Sequence, residues 1–192
     1  MSPSDDDLAA RSRAGDPAAL AALYQRHACA LLHFLTQILR HREEADDVLQ
    51  ETFLRLFQGR GCYRGRGRFR QWLFTVAHRI AVDRLRRGRR HAELAAAHPL
   101  PRAGAGDPLG ELAAAELRAC IDNALLTLPE DYAVAFHLRV REGFSYREMA
   151  EISGAPLGTL RSRVHHATHT IRKALHSAGL GPPSAASKVE PS

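Results

Sequence analysis

Cysteine, lysine and aromatic residues are all scarce in this 192-residue chain. The three cysteines, Cys29, Cys62 and Cys120, are odd in number and far apart. They form neither a disulfide framework nor a zinc-ligand spacing, as expected of a protein in a reducing cytoplasm. No apolar run is long enough to span a bilayer, and the start, Met1 to Asp7, is acidic rather than signal-like, so no membrane insertion is expected. Strand-like alternation is missing, which leaves helices as the only regular element. There is no glycine-rich phosphate loop after a strand, no paired nucleophile and base, and no metal-ligand cluster. The sequence therefore argues against an enzyme, with no catalytic residue, cofactor or metal expected. Among 27 basic residues only Lys173 and Lys188 are lysines. Arginine forks suit phosphates and guanine edges, although a biased genome composition produces the same excess. What is present is a net charge of +6, a pI near 9.8 and 45% hydrophobic residues, which suit a globular protein with a polyanionic partner.

Asp16-Pro17 reads as a helix cap followed by proline in the first turn. From there Leu20, Leu23, Tyr24, His27, Leu31, Phe34, Leu35, Ile38 and Leu39 recur at helical spacing. After the polar break Arg40-His41-Arg42, a second helix is predicted from about Glu43 to Phe57. A glycine- and arginine-rich loop, Gly59 to Gly67, precedes a third helix from near Phe69 to about Arg87. The prolines, glycines and alanines that follow read as a linker containing a short helix at His91–Ala97. A second helical unit is expected beyond it, broken at Leu128-Pro129-Glu130. The resulting expectation is an all-α protein with a flexible N-terminus (1–15), a first domain (16–88), a linker (89–108), a second domain (109–177) and a disordered tail (178–192).

The most informative stretch is Phe144 to Arg163. Ser145 and Glu148 stand at capping-box spacing. Gly154 suits the left-handed residue that ends the first helix, and Pro156 pre-sets the backbone for the next. This is a helix-turn-helix, whose second helix is shaped for a DNA major groove. On that helix Leu160, Val164, Ala167, Ile171 and Leu175 form the buried stripe, leaving Ser162, His165, His166, His169 and Lys173 outward.

Two earlier segments have two-sided patterns. On the Glu43–Phe57 helix, Ala45, Val48, Leu49, Thr52 and Leu56 share one side, while Asp46, Gln50, Phe53, Leu54 and Phe57 share the other. A protein-binding patch and a central helix buried on both sides fit this equally well. Arg60, Arg64, Arg66, Arg68 and Arg70 interleave with Tyr63, Phe69 and Trp72. Arginines beside aromatics suit unstacked single strands, and a solvated basic face over a buried Trp72 gives the same pattern.

Taken in order, Gly15 to Leu20, Ala45-Asp46-Asp47-Val48-Leu49-Gln50-Glu51-Thr52-Phe53, Phe69 to Phe74, Asp83 to Arg87, Leu128-Pro129, Gly143 to Glu151 and Pro156 to Arg163 resemble bacterial sigma factors of the sigma-70 superfamily, in particular the extracytoplasmic-function (ECF) group. The resemblance implies region 2 over residues 16–88 and region 4 over 109–177. It implies a transcription-initiation factor that binds core RNA polymerase, at the largest-subunit clamp helices and the flap, and promoter DNA. A stand-alone helix-turn-helix regulator is the alternative, separated by the polymerase-binding motif. By resemblance, Asp47, Gln50, Glu51 and Phe53 contact polymerase, and an anti-sigma factor is a further partner. Arg66, Arg68, Trp72, Arg79 and Arg86 fall on the promoter-melting surface, where the family captures a flipped non-template base. Thr159, Arg161, Ser162, Arg163, His165 and His166 fall on the duplex-reading helix.

The chain departs from the family at two places. Arg79 stands where asparagine is common, and His165-His166-Ala167-Thr168-His169 replaces the usual arginines. The histidines fit a DNA surface, a solvated face, or metal binding by His165 and His169, although no carboxylate or cysteine completes a metal site.

Overall fold

The computed structural model describes residues 3–59, 63–65, 67–92 and 110–180, and all regular structure among them is helical. In chain order the helices are α1 (Asp5–Arg13), α2 (Pro17–Leu39), α3 (Arg42–Phe57), α4 (Phe69–Ala92), α5 (Gly110–Leu126), α6 (Glu130–Phe136), α7 (Tyr146–Ser153) and α8 (Leu157–Ser177). A wider π-helical turn, His137–Arg141, continues α6. Arg66, residues 93–109 with most of the helix expected at 91–97, and the tail beyond residue 180 lie outside the described residues, while residues 91 and 92 close α4.

Local chemistry sets most boundaries. Asp16 caps α2 by accepting from the N–H groups of Ala18 and Ala19, with Pro17 at the first helical position. Arg40 ends α2 in the left-handed region, at φ 59°. Ser145 and Glu148 form the expected reciprocal capping box of α7, and Gly154, at φ 72°, ends it. Pro156 stands at the cap position of α8, directly before its first residue Leu157.

The N-terminus is a correction. Residues 5–13 were expected to be flexible, yet they form a helix with Leu8, Ala9 and Ser12 buried. Ser4 and Asp7 make a capping box of their own, so the helix has both a local start and an apolar face to bury.

Both helical units are present, and they pack directly on each other. Leu31, Phe34, Leu73 and Phe74 of the first share one buried cluster with Leu138, Phe144, Met149 and Ile152 of the second. The Phe74 ring lies 5.1 Å from Phe34 and 5.2 Å from Phe144. A smaller cluster, including Leu125, Leu128, Phe136 and Ile171, holds α5 and α6 against α8. The second unit therefore divides its apolar surface between its own core and the first unit.

Candidate protein-binding and nucleic-acid interfaces

The α3 helix has the two-sided character expected. Ala45, Val48, Leu49, Thr52 and Leu56 are all buried, whereas Asp47 and Gln50 are exposed and Leu54 is 54% exposed. Asp47 keeps 66% of its side-chain surface in solvent. Phe53 differs from its assignment as a contact residue: it is 4% exposed, its ring 5.0 Å from Tyr24 of α2. A phenyl ring at the edge of the outward face is covered by the neighbouring helix, so Phe53 supports this surface from beneath. Arg84 of α4 reaches across it, donating to Asp47 at 3.1 Å and lying 3.9 Å from Glu51. Glu51 also accepts from Arg55 at 2.6 Å. The result is a carboxylate row on a firm base beside exposed apolar groups, the mix found at protein interfaces.

Trp72 and Tyr63 define the second surface. Tyr63 is buried against Phe69 and Trp72, with ring centroids 5.4 and 5.5 Å away. Arg68 beside this aromatic base is exposed, keeping 66% of its surface free, and Arg79 and Arg86 are exposed further along α4. On α4, Leu73, Ala77 and Ile80 are buried and Val76 is half-buried, forming the core-facing stripe. Exposed guanidiniums along α4 together with the half-buried Trp72 ring can hold phosphates and receive unstacked bases.

Arg70 leaves this cluster. Its guanidinium sits 4.6 Å over the Phe144 ring, donates to the Glu142 carbonyl at 2.7 Å and pairs with the Glu142 carboxylate. Gln71 donates to Glu151 at 2.5 Å, and Arg68 lies 3.7 Å from the same carboxylate. Glu142 is itself 3.1 Å from Nε2 of the buried His137. Burial pushes the Glu142 carboxyl up, but hydrogen bonding and charge from His137 and Arg70 outweigh it and hold the group below the ordinary value. The π-helical turn makes this possible, because its wider pitch brings Glu142 and Phe144 back toward α4, with their N–H groups on the carbonyls of His137 and Leu138.

The third surface is the helix-turn-helix. Leu160, Val164, Ala167 and Ile171 face the core, and Thr159, Arg161, Ser162, His165, His166 and His169 are exposed on α8. The Arg161 guanidinium lies 5.6 Å over the Tyr146 ring of α7, a cation–π contact that steadies an otherwise exposed side chain. Arg163 is partly withdrawn, since it pairs with Asp131 of α6 at 2.5 Å. His166 packs edge-on against Tyr132. Among the described residues, no group of three or more His, Cys, Asp or Glu is placed to hold a metal ion.

The residues that sequence reasoning overlooked are those that position others: Asp6, Arg13, Arg84 and Glu142. Only α1 carried a usable signal, the Ser4–Asp7 spacing ahead of Leu8 and Ala9.

A helical protein with a helix-turn-helix, an arginine-aromatic face and a separate acidic face falls in the class of DNA-binding transcription proteins. Residues 23–91 match the Sigma-70 region 2 family model and residues 118–168 match Sigma-70, region 4. The chain is 31% identical to the RNA polymerase sigma-H factor of Pseudomonas aeruginosa, over 89% of this chain and 93% of that protein. It is 32% identical to the ECF RNA polymerase sigma-E factor of Haemophilus influenzae, over 87% of this chain and 93% of the other. The fold matches CnrH, solved with the cytosolic domain of CnrY, with a TM-score of 0.60 and 23% identity over 91% of this chain and 97% of that one. It also matches the sigma factor RpoE of Bartonella quintana, solved with the anti-sigma factor NepR, with a TM-score of 0.58 and 21% identity over 81% and 97%. The chain belongs to the sigma-70 family, in its extracytoplasmic-function group, whose members bind core RNA polymerase and direct initiation at promoters. No described helix is long and apolar enough to cross a membrane.

Proposed function

We propose that the three surfaces divide the work of promoter-specific initiation. The carboxylate row of α3, with Asp47 and Gln50 exposed, Glu51 half-buried and Phe53 beneath, docks on the clamp helices of the polymerase largest subunit. Arg68, Trp72, Arg79 and Arg86, with Arg66 of the adjoining loop, engage the opened non-template strand. Extruding a base costs a few kcal/mol, so holding the freed base and its phosphates shifts the melting equilibrium without ATP. Exposed residues of α8, chiefly Thr159, Arg161, Ser162, His165 and His166, read the upstream element as duplex, while the second unit touches the flap. Arg163 serves this helix through its pair with Asp131. The protein acts in the cytoplasm, is not itself an enzyme, and is held in check by an anti-sigma factor, as supported by the NepR complex of the Bartonella relative.

One observation carries this: an acidic, solvent-facing α3 and a helix-turn-helix stand in one chain with an arginine-aromatic surface. A stand-alone helix-turn-helix regulator has no use for the first of these. The test is to add the protein to core polymerase and map run-off transcripts across genomic DNA. Promoter-specific starts above core alone are expected, and Asp47→Arg abolishes both these starts and core binding while the helical circular dichroism is retained. Transcripts no different from core alone would overturn the assignment.

A further inference from the structure

We propose that Asp6 is a positioning residue for promoter melting, holding Tyr63 and Gly67 so that the start of α4 meets the opened strand in a fixed shape. The proposal rests on the assignment of that loop and α4 to melting.

The geometry begins with α1. Its first turn is anchored to α2 by Asp5, which takes Arg26 at 2.8 Å and His27 Nε2 at 2.7 Å. The next residue points about 100° further round the helix, and there the Asp6 carboxylate accepts from the Tyr63 hydroxyl and, at 2.7 Å, from the Gly67 N–H. The Tyr63 oxygen in turn accepts from the Arg68 N–H at 3.0 Å. At the far end of α1, Arg13 donates to the Tyr63 carbonyl at 2.7 Å. Tyr63 is thus tied at both its main chain and its hydroxyl to one helix, with its ring 5% exposed against Phe69 and Trp72.

These ties fall on a loop that cannot order itself. Gly65 and Gly67 both lie in the left-handed region, at φ 57° and 67°. Glycine there is unstrained but loses the most freedom on ordering. Outside partners fix such glycines in one conformation, and Asp6 supplies one at Gly67 and another at Tyr63. The Arg68 main chain also accepts the first α4 hydrogen bond, from the Trp72 N–H at 3.0 Å. Asp6 therefore acts, through Tyr63, on the turn that sets the Trp72 ring and the Arg68 guanidinium relative to each other.

A bystander carboxylate near DNA and a positioning carboxylate predict opposite signs. Removing a bystander negative charge beside a phosphate-binding face strengthens DNA binding. Removing a positioning group weakens opening despite the charge gain. The experiment uses full-length protein with core polymerase on a linear duplex promoter recovered by run-off mapping, and on the same promoter pre-melted by mismatches at the opened element. Opening is read by permanganate reactivity of unpaired thymines. Asp6→Asn, isosteric but uncharged, is expected to lower opening of the duplex about 10- to 100-fold, the range for losing hydrogen bonds to a charged group. Transcription from the pre-melted template should stay within about two-fold, because the opening step has been supplied, and core binding should not change. Tyr63→Phe should show the same template dependence. The two changes together should cost less than their sum, since both cut one chain of hydrogen bonds.

Unchanged or improved opening by Asp6→Asn, or equal losses on both templates, would overturn the proposal. Failure of the functional assignment would look different, because the wild-type protein would then give no promoter-specific opening on the duplex.

Discussion

The two halves of the molecule hold their working surfaces by different means. In the first half the two proposed surfaces depend on side chains brought together from far along the chain: Tyr63 with Asp6 and Arg13 at the arginine-aromatic face, and Arg84 with Asp47 at the carboxylate row. In the second half the reading helix is set by neighbours, through the Ser145–Glu148 box, the Gly154 stop and Arg161 over Tyr146. Hydrogen bonds from Ser145 hold the Glu148 carboxyl below its ordinary value, a sign that this cap is formed locally and well. A surface built by long-range ties depends on the whole fold, whereas one built locally needs only to be carried on it.

The largest expected effect tests whether the halves also share stability. Phe74 is fully buried between Phe34 and Phe144, so Phe74→Ala should cost about 3–5 kcal/mol in urea unfolding. Trp72, the single tryptophan, reports on the first half, and far-ultraviolet circular dichroism reports on both. Coincident midpoints are expected from a shared core. Separated ones would show that the halves unfold independently.

A smaller loss tests the local design of the second half. Arg161→Ala should weaken promoter binding by holoenzyme by about 1–3 kcal/mol and relax base preference at one position. Because Arg161 is exposed, its melting temperature should hardly move. Quantitative footprinting on single-base promoter variants separates the two outcomes.

The smallest effect concerns pH at the junction. Burial, assisted by Arg141 and His137 and opposed by Asp122, holds the His33 imidazole below its ordinary 6.5. Burial, opposed by Asp131 and reinforced by Arg79, does the same to His78. The unfolded chain then binds more protons below pH 6.5, so the stability from neutral burial is complete above that value and is lost as pH falls through it. Glu142 adds a second loss further down, as its own depressed value is approached from the ordinary 4.5. Urea midpoints should therefore fall monotonically from pH 7.5 to 4, the first decline shrinking in His78→Gln.

What was legible in the sequence follows the same division. The capping box, the glycine stop and the α8 stripe lie within a few turns of one another, and the structure places them as read. The buried side of α3 was also legible, because helical period alone identifies Ala45, Val48, Leu49, Thr52 and Leu56. Phe53 was not, since a helical wheel cannot show that Tyr24 covers it. Nor was the junction of the halves: Arg70 and Glu142 are 72 positions apart, and the intervening proline- and glycine-rich stretch reads only as a spacer. The α1 helix was overlooked because its acidic first turn, Asp5-Asp6-Asp7, resembles a solvated tail until its partners Arg26, His27 and Tyr63 are known.

Arg40 shows how a local preference can be overruled. Its backbone adopts the left-handed shape that costs a side-chain-bearing residue about 1–2 kcal/mol, so glycine would suit the main chain better. Yet its guanidinium crosses to the other half and donates to the carbonyls of Leu125 and Leu128, at 3.4 and 3.1 Å. The Leu125 acceptor lies in the last turn of α5, where it also takes the Leu128 N–H at 3.2 Å, and Leu128 stands in the turn that follows. One residue thus stops a helix in its own unit and caps a helix in the other. Position 40 is a compromise site, where the substitution that relaxes the backbone is also the one that uncouples two distant helix ends.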